Sequence, residues 1–164
     1  MKIKSLDDLF VHELKDLYSA EKQMVQGLQK LAKKASREEL RNAFEQHLEE
    51  TRGQVERLEK IFEGLDWSPR GEKCEGMAGL IQEAEGVMED TEDTDVLDAA
   101  LIAAAQKQEH YEISGYGTAR TYAQMLGNQE AARILQQTLD EESAADERLN
   151  KLAEGMVNWE ALKG

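Results

Sequence analysis

The sequence predicts an all-α fold in which two antiparallel helical hairpins are joined by a short crossover helix. Three observations carry that expectation. Glu outnumbers Asp more than two to one, Pro occurs once and aromatic residues make up 5%, a composition that favours helix over sheet. Apolar residues recur every three to four positions in five segments, each bounded by capping or turn residues. Four of the segments run for about 28 to 32 residues, near 45 Å, while the third covers only about 30 Å.

The first segment, about Leu6 to Ala35, opens at a Ser5-x-x-Asp8 cap and lines up Leu6, Phe10, Leu14, Leu17, Met24, Leu28 and Leu31 on one face. The second opens at a capping box, Ser36-Arg37-Glu38-Glu39, and continues to about Gly64 through Leu40, Phe44, Val55, Leu58 and Ile61. Ser68 as a cap and Pro69 at a first helical position predict a third helix from about Glu72 to Asp90, with Met77, Leu80, Ile81, Ala84, Val87 and Met88 as its stripe. A fourth helix spans about Asp95 to Leu126, and Gly127-Asn128 marks a tight stop and restart. The fifth runs from about Gln129 to Val157 through Ile134, Leu135, Leu139, Leu149, Leu152 and Met156. Its short length suits the third helix to a crossover, which gives the one-crossover four-helix topology; an up-and-down bundle with an extra helix is the competing arrangement.

At 164 residues the chain, 1–164, reads as one domain. With 34 acidic and 20 basic residues its formal charge is −14, which argues against nucleic-acid and anionic-membrane partners, since both need a basic face. The longest wholly apolar run is Ala99 to Ala105, far short of the about 20 residues that span a bilayer. A start without an apolar run or small-residue cleavage site, and a lone cysteine, Cys74, read as buried and structural, fit a cytoplasmic protein. Trp67 and Trp159, near segment ends, read as end plugs. The alanine-rich fourth helix needs cover on more than one side, from the third helix or a second subunit.

Most carboxylates, Glu38, Glu45, Glu56, Glu59 and Glu63 among them, fall on outward faces. A smaller set falls where apolar residues belong. Glu21 continues the stripe of Leu17, Met24 and Leu28; Glu50 follows His47 by three and precedes Leu58 by eight; Glu109 and Glu112 follow Leu101 and Ala105; Glu142 lies between Leu135 and Leu149, with Asp146 one turn on. An antiparallel hairpin brings together residues equally distant from its turn. Glu21 and Glu50 are 15 and 14 residues from Ser36, and Glu112 and Glu142 are each 15 from Gly127. The two halves echo each other, because Tyr18-x-x-Glu21 matches Glu109-x-x-Glu112, and Glu50-x-x-x-Gln54 matches Glu142-x-x-x-Asp146. Buried carboxylates a few ångströms apart cannot all stay ionised without compensation, and two divalent cations would balance four central Glu. The competing reading is that these side chains snorkel outward or pair with Arg52, Lys107 or Arg148.

Tyr18-Ser19-Ala20-Glu21, His47-Leu48-Glu49-Glu50, the run from Ala99 to Glu112 with its Gln108-Glu109-His110-Tyr111-Glu112 end, and Thr138-Leu139-Asp140-Glu141-Glu142 resemble the YciE/YciF family of ferritin-like bacterial stress proteins. The resemblance covers Lys4 to about Asn158 and implies a ferritin-like four-helix bundle, a homodimer and a di-iron or related dimetal site. By that likeness Glu21 is the first-helix ligand, Glu50 and Glu142 bridge the metals, and Glu109 and Glu112 are the fourth-helix pair; Asp146, Gln54 and His47 are further candidates. The ferritin-like pattern usually places His one turn after the Glu of the second and last bundle helices, where this chain has Gly53 or Gln54 and Ala145 or Asp146. So oxygen-rich a site suits iron or manganese, and also magnesium or calcium. His110 points about 100° away from Glu109 and belongs to the surface or an interface.

Two functions follow. One is a dimetal carboxylate protein that reacts with oxygen, peroxide or ferrous ion during stress, as a ferroxidase- or peroxidase-like oxidoreductase if it is an enzyme. The other is a non-enzymatic acidic dimer, its metal structural or absent, that acts through a protein partner. Nucleophile elbows, phosphate-binding loops and Cys-x-x-Cys zinc patterns do not occur.

Overall fold

The computed structural model describes residues 2–71 and 73–163. They form α1 (Leu6–Lys34), α2 (Glu38–Leu65), α3 (Glu75–Asp90), α4 (Thr94–Met125), α5 (Gln129–Leu152), a π-helical turn (Ala153–Val157) and α6 (Asn158–Lys163), with no strand among the described residues. No helix among them is long and apolar enough to cross a membrane.

α1 begins as its sequence dictates: the Ser5 Oγ accepts from the Asp8 N–H at 3.1 Å and the Asp8 carboxylate accepts from the Lys4 N–H at 2.9 Å. α4 is capped by Asp93, which accepts from the Asp95 and Val96 N–H groups, and α5 by Asn128, after Gly127 turns the chain at φ +76°.

Three expectations at helix ends are corrected. Arg37, not Ser36, is the N-cap of α2 and makes no side-chain cap bond; Ser36 instead gives its N–H and O–H to Asp98 of α4, at 2.8 and 2.7 Å. α3 starts at Glu75, not at Glu72, which lies outside the described residues. Its cap is Cys74, whose Sγ accepts from Met77 N–H, while Ser68 makes only a local turn with Arg70. The cause is tertiary: Cys74 N–H donates to Ser19 Oγ at 2.8 Å and its carbonyl accepts from Gln23 at 3.0 Å, so α1 fixes where the crossover helix starts. Helix also continues beyond Val157 to Lys163 through the π-turn. Trp159 and Trp67 are 62% and 45% exposed, so neither plugs an end; Trp159 donates to the Glu154 carbonyl and Lys15 covers the Trp67 ring.

α1 and α2 pack as one antiparallel hairpin, α4 and α5 as another, and the hairpins face each other through α1 against α4 and α2 against α5. α3 returns the chain along α1 and α4, covering the second side of the alanine-rich α4. The apolar interior is in two parts. One holds Phe10, Leu14, Leu17, Leu58, Ile61, Phe62, Tyr116, Ala119 and Leu135. The other holds Met24, Leu28, Leu31, Leu40, Phe44, Leu101, Ile102, Leu149 and, from α3, Met77. Between them lies a buried polar layer: Glu21 from α1, His47, Thr51 and Gln54 from α2, Gln108, Glu109 and Glu112 from α4, and Thr138 and Glu142 from α5.

Asp98 ties the two hairpins at one end. Its buried carboxylate takes the Ser36 N–H and O–H and, at 3.1 Å, the Arg37 N–H. Asp98→Ala strands these donors, at about 2–3 kcal/mol, and is expected to lower Tm by about 5–10 °C. Asp95→Ala, which removes only a half-exposed partner of Arg37, should shift it by about 2 °C or less, as thermal unfolding of both variants will show.

Candidate metal centre

The polar layer places one ligand atom each from His47, Glu109, Glu112 and Glu142 within 4.8 Å of one another. Helical geometry explains the convergence. Glu109 and Glu112 are one turn apart on the same face of α4, and Glu142 enters at the same height from α5, as equal distance from Gly127 requires. His47 enters from α2, its backbone carbonyl accepting from Thr51 Oγ1 at 2.8 Å. Its Nδ1 lies 3.1 Å from Glu50 Oε2, which turns Nε2 inward, to 2.9 Å from Glu109 Oε1 and 3.5 Å from Glu142 Oε2. Neither inward approach has hydrogen-bond geometry.

Glu21 joins from α1, fully buried, with Oε1 accepting the Tyr116 O–H. Gln54 is fully buried, with neither amide atom partnered among the described residues. Two other candidates sit at the edge. Glu50, 21% exposed, accepts from Arg148 at 2.8 Å and Gln46 at 3.1 Å. Asp146 bonds Gln106 and the exposed His110, both at 3.2 Å. Of the eight sequence candidates, four converge, Glu21 and Gln54 line the same layer, and Glu50 and Asp146 are held outside the convergence. Arg148 does pair with one of the candidates, Glu50, whereas Arg52 pairs with Glu49 instead.

Sequence reasoning passed over three residues of the layer: Thr51, Gln108 and Thr138. All three were legible by one spacing, Thr51 four residues after His47, Gln108 four before Glu112 and Thr138 four before Glu142, each on its partner's side of the helix. Tyr116 belongs to the core and its hydroxyl is satisfied, but by Glu21, which makes it part of the layer's edge. Tyr111 bonds Asp16 at 2.6 Å and Tyr18 bonds Glu59 at 2.9 Å.

The electrostatics are those of too many acids in too dry a place. Burial, with Glu21, Glu142 and Glu109 adding like charge, holds the Glu112 carboxyl well above the usual range. Burial and Glu109 do the same to Glu142. Glu21 is pushed up to about 7 by burial, against the hydrogen bond from Tyr116. His47 would be pushed down by burial, but Glu109 and Glu142 outweigh it and hold the imidazolium well above its ordinary range. Burial would raise Glu109 too, yet the charge of His47 leaves it lowered. One imidazolium–carboxylate pair and several retained protons are thus the layer's own means of compensation. Even so, Glu21 Oε2 and both oxygens of Glu109, Glu112 and Glu142 have no hydrogen-bond partner among the described residues.

This donor set fits a divalent cation. It offers hard carboxylate oxygens from three helices, an amide oxygen and one imidazole nitrogen whose other nitrogen is fixed by a carboxylate, the arrangement that orients a metal-binding histidine.

Comparison with known proteins finds relatives that match over nearly the whole chain. The family model described as a domain of unknown function, DUF892, matches residues 5–162. Protein YciF of Escherichia coli (strain K12) is 51% identical over 162 residues, 98% of each chain. The crystal structure of the E. coli stress protein YciF superposes with a TM-score of 0.91, covering 95% of this chain and 99% of that one. YcfI of Rhodopseudomonas palustris is 42% identical with a TM-score of 0.89, covering 91% and 95%. A protein of Xanthomonas campestris pv. campestris, 23% identical, shares the fold with a TM-score of 0.77 over 97% of this chain and 98% of that one.

The raised groups make the metal-free protein sensitive to alkali. Glu21, Glu112, Glu142 and His47 all bind protons more tightly folded than unfolded, so each contributes stability that is complete below its unfolded pKa and lost as pH rises through its folded pKa. Between pH 5 and pH 7, from the ordinary carboxylate range up to the folded pKa of Glu21, Tm of the chelator-treated protein is expected to fall. The fall should be about 3–6 °C for each group that keeps its proton only when folded, per pH unit. A flat or rising Tm across that window would show that the layer is not proton-loaded.

Proposed function

The chain belongs to the DUF892 family, and from that premise we propose that it is a ferritin-like four-helix bundle whose polar layer holds two divalent metal ions. The observation that supports this most is the set of seven buried carboxylate oxygens, collected from three helices into one layer, that no N–H or hydroxyl donor among the described residues reaches. Folding has put them where water cannot pair them, and a structure that gained nothing from them would be more stable with Gln or Leu in their place. Two divalent ions balance Glu21, Glu109, Glu112 and Glu142, with His47 Nε2 and the Gln54 amide oxygen completing the donors. Iron or manganese suits this mixture best, and magnesium or calcium would satisfy the oxygens.

Bound iron or manganese would supply electron exchange with oxygen, peroxide or ferrous ion, which these side chains lack. The chain's own residues do the rest. Glu50 holds His47 by Nδ1 and so aims Nε2 at the layer. Tyr116, whose hydroxyl burial keeps protonated, holds a proton against Glu21 Oε1. The two apolar halves above and below keep bulk water from the reacting groups. The E. coli relative is described as a stress protein, and 51% identity over nearly the whole of both chains supports a stress role here. We place the protein in the cytoplasm as a single-domain homodimer, acting without nucleic acid or membrane.

Elemental analysis of untagged protein purified without chelator tests the reading. Wild type should carry about two iron or manganese ions per chain. Glu112→Gln and Glu142→Gln should lose them, and their metal-free forms should melt higher than metal-free wild type, because each removes a buried acid. Wild type free of metal even after anaerobic incubation with iron(II) and manganese(II) would overturn the reading.

A further inference from the structure

The cluster is sealed on nearly every side: His47 is 4% exposed and Glu109 and Glu142 are fully buried at their side chains. A cation must nevertheless reach it from water. A narrow crevice lined by Phe44, His47, Glu109, Ala145, Arg148 and Leu149 leads to it, between α2 and α5. The one partly exposed charged side chain in that lining is Arg148, at 31%, and it donates to Glu50, itself 21% exposed.

Glu50 looks both ways. Its Oε2 is 3.1 Å from His47 Nδ1 on the inner side and takes the Arg148 guanidinium at 2.8 Å on the outer side, while Oε1 takes Gln46 Nε2 at 3.1 Å. Resting on the metal reading above, we propose that the Glu50–Arg148 ion pair is the entry point for divalent cations. Arg148 occupies the carboxylate and repels cations while the pair is closed. When it swings out, Glu50 would be free to hold an incoming ion, and His47, on releasing its Nε2 proton to water, would with Glu109 receive the ion next.

The exchange keeps a cation on the carboxylate throughout, and a divalent ion brings one positive charge more than the guanidinium it displaces, which favours it on an acid beside other buried acids. It also shortens the hardest part of entry, since an ion that has gained one carboxylate has already begun to replace its hydration shell before it meets the dry layer. Arg148 is well suited to such a barrier: it stays charged at every relevant pH, and it lines the crevice together with Leu149 and Ala145. The chain as a whole, with a formal charge of −14, draws cations in, so the residue that slows them at this crevice is the one whose removal should be felt.

The test is the rate at which metal-free protein withdraws manganese(II) from a rapidly exchanging fluorescent chelator in stopped flow, read beside the final ions per chain. Arg148→Met should speed uptake about tenfold and release by a similar factor, so that stoichiometry is unchanged, and Arg148→Lys should return the rate toward wild type. Glu50→Gln should slow uptake about tenfold. Arg148→Met and Glu50→Gln both loading at the wild-type rate, with wild type taking up manganese normally, would overturn the entry while leaving the metal reading intact. Wild type taking up none would overturn both.

Discussion

The structure is organised around carboxylates that cannot be left uncompensated. Glu21, Glu109, Glu112 and Glu142 are fully buried at one level of the molecule, and seven of their oxygens have no donor among the described residues. Stranding even one charged oxygen away from water is expensive, and stranding several is affordable only if protons or cations make up the difference. The chain supplies one cation, His47, and the raised carboxyls supply protons. Divalent ions would replace both at once.

Everything else in the fold serves the level of that layer. The apolar stripes of four long helices stop on either side of it, so the interior is two hydrophobic blocks with a polar sheet of side chains between them. The heights at which the acids enter are fixed by the turns at residues 35–37 and 126–128, and Asp98 locks the first of those turns to α4. Slippage of one hairpin against the other would move Glu21 away from Glu112. The crossover helix α3 covers α4 and is pinned to α1 through Cys74, which stabilises the pair of helices that supply three of the four acids.

Much of this was legible in the sequence because hairpin geometry is arithmetic. Distances from Gly127 matched Glu112 to Glu142, and the apolar spacing gave Glu21 and Glu109 the correct face. Glu50 fails on angle rather than height. At 100° per residue, His47, Thr51 and Gln54 fall within about 60° of one another on α2, and Glu50 lies to one side of that arc, where it meets Arg148 and holds His47 instead. Position along a helix tolerates an error of one residue; direction does not. The start of α3, the role of Ser36 and the helical continuation past Val157 were not legible, since long-range partners, Ser19, Gln23 and Asp98, decide the first two and no local pattern announces the π-turn.

If cations do take over from protons in this layer, binding must expel the protons. Calorimetric titration of metal-free protein with manganese(II) at pH 7, repeated in buffers of different ionisation enthalpy, counts them directly. The account predicts saturable binding with release of protons, because burial and like charge make Glu112 and Glu142 hold protons more tightly than usual, Glu109 and Glu142 do the same for His47, and Glu21 titrates at about 7. Binding that releases none would mean the ions sit elsewhere, and the buried acids would need another explanation.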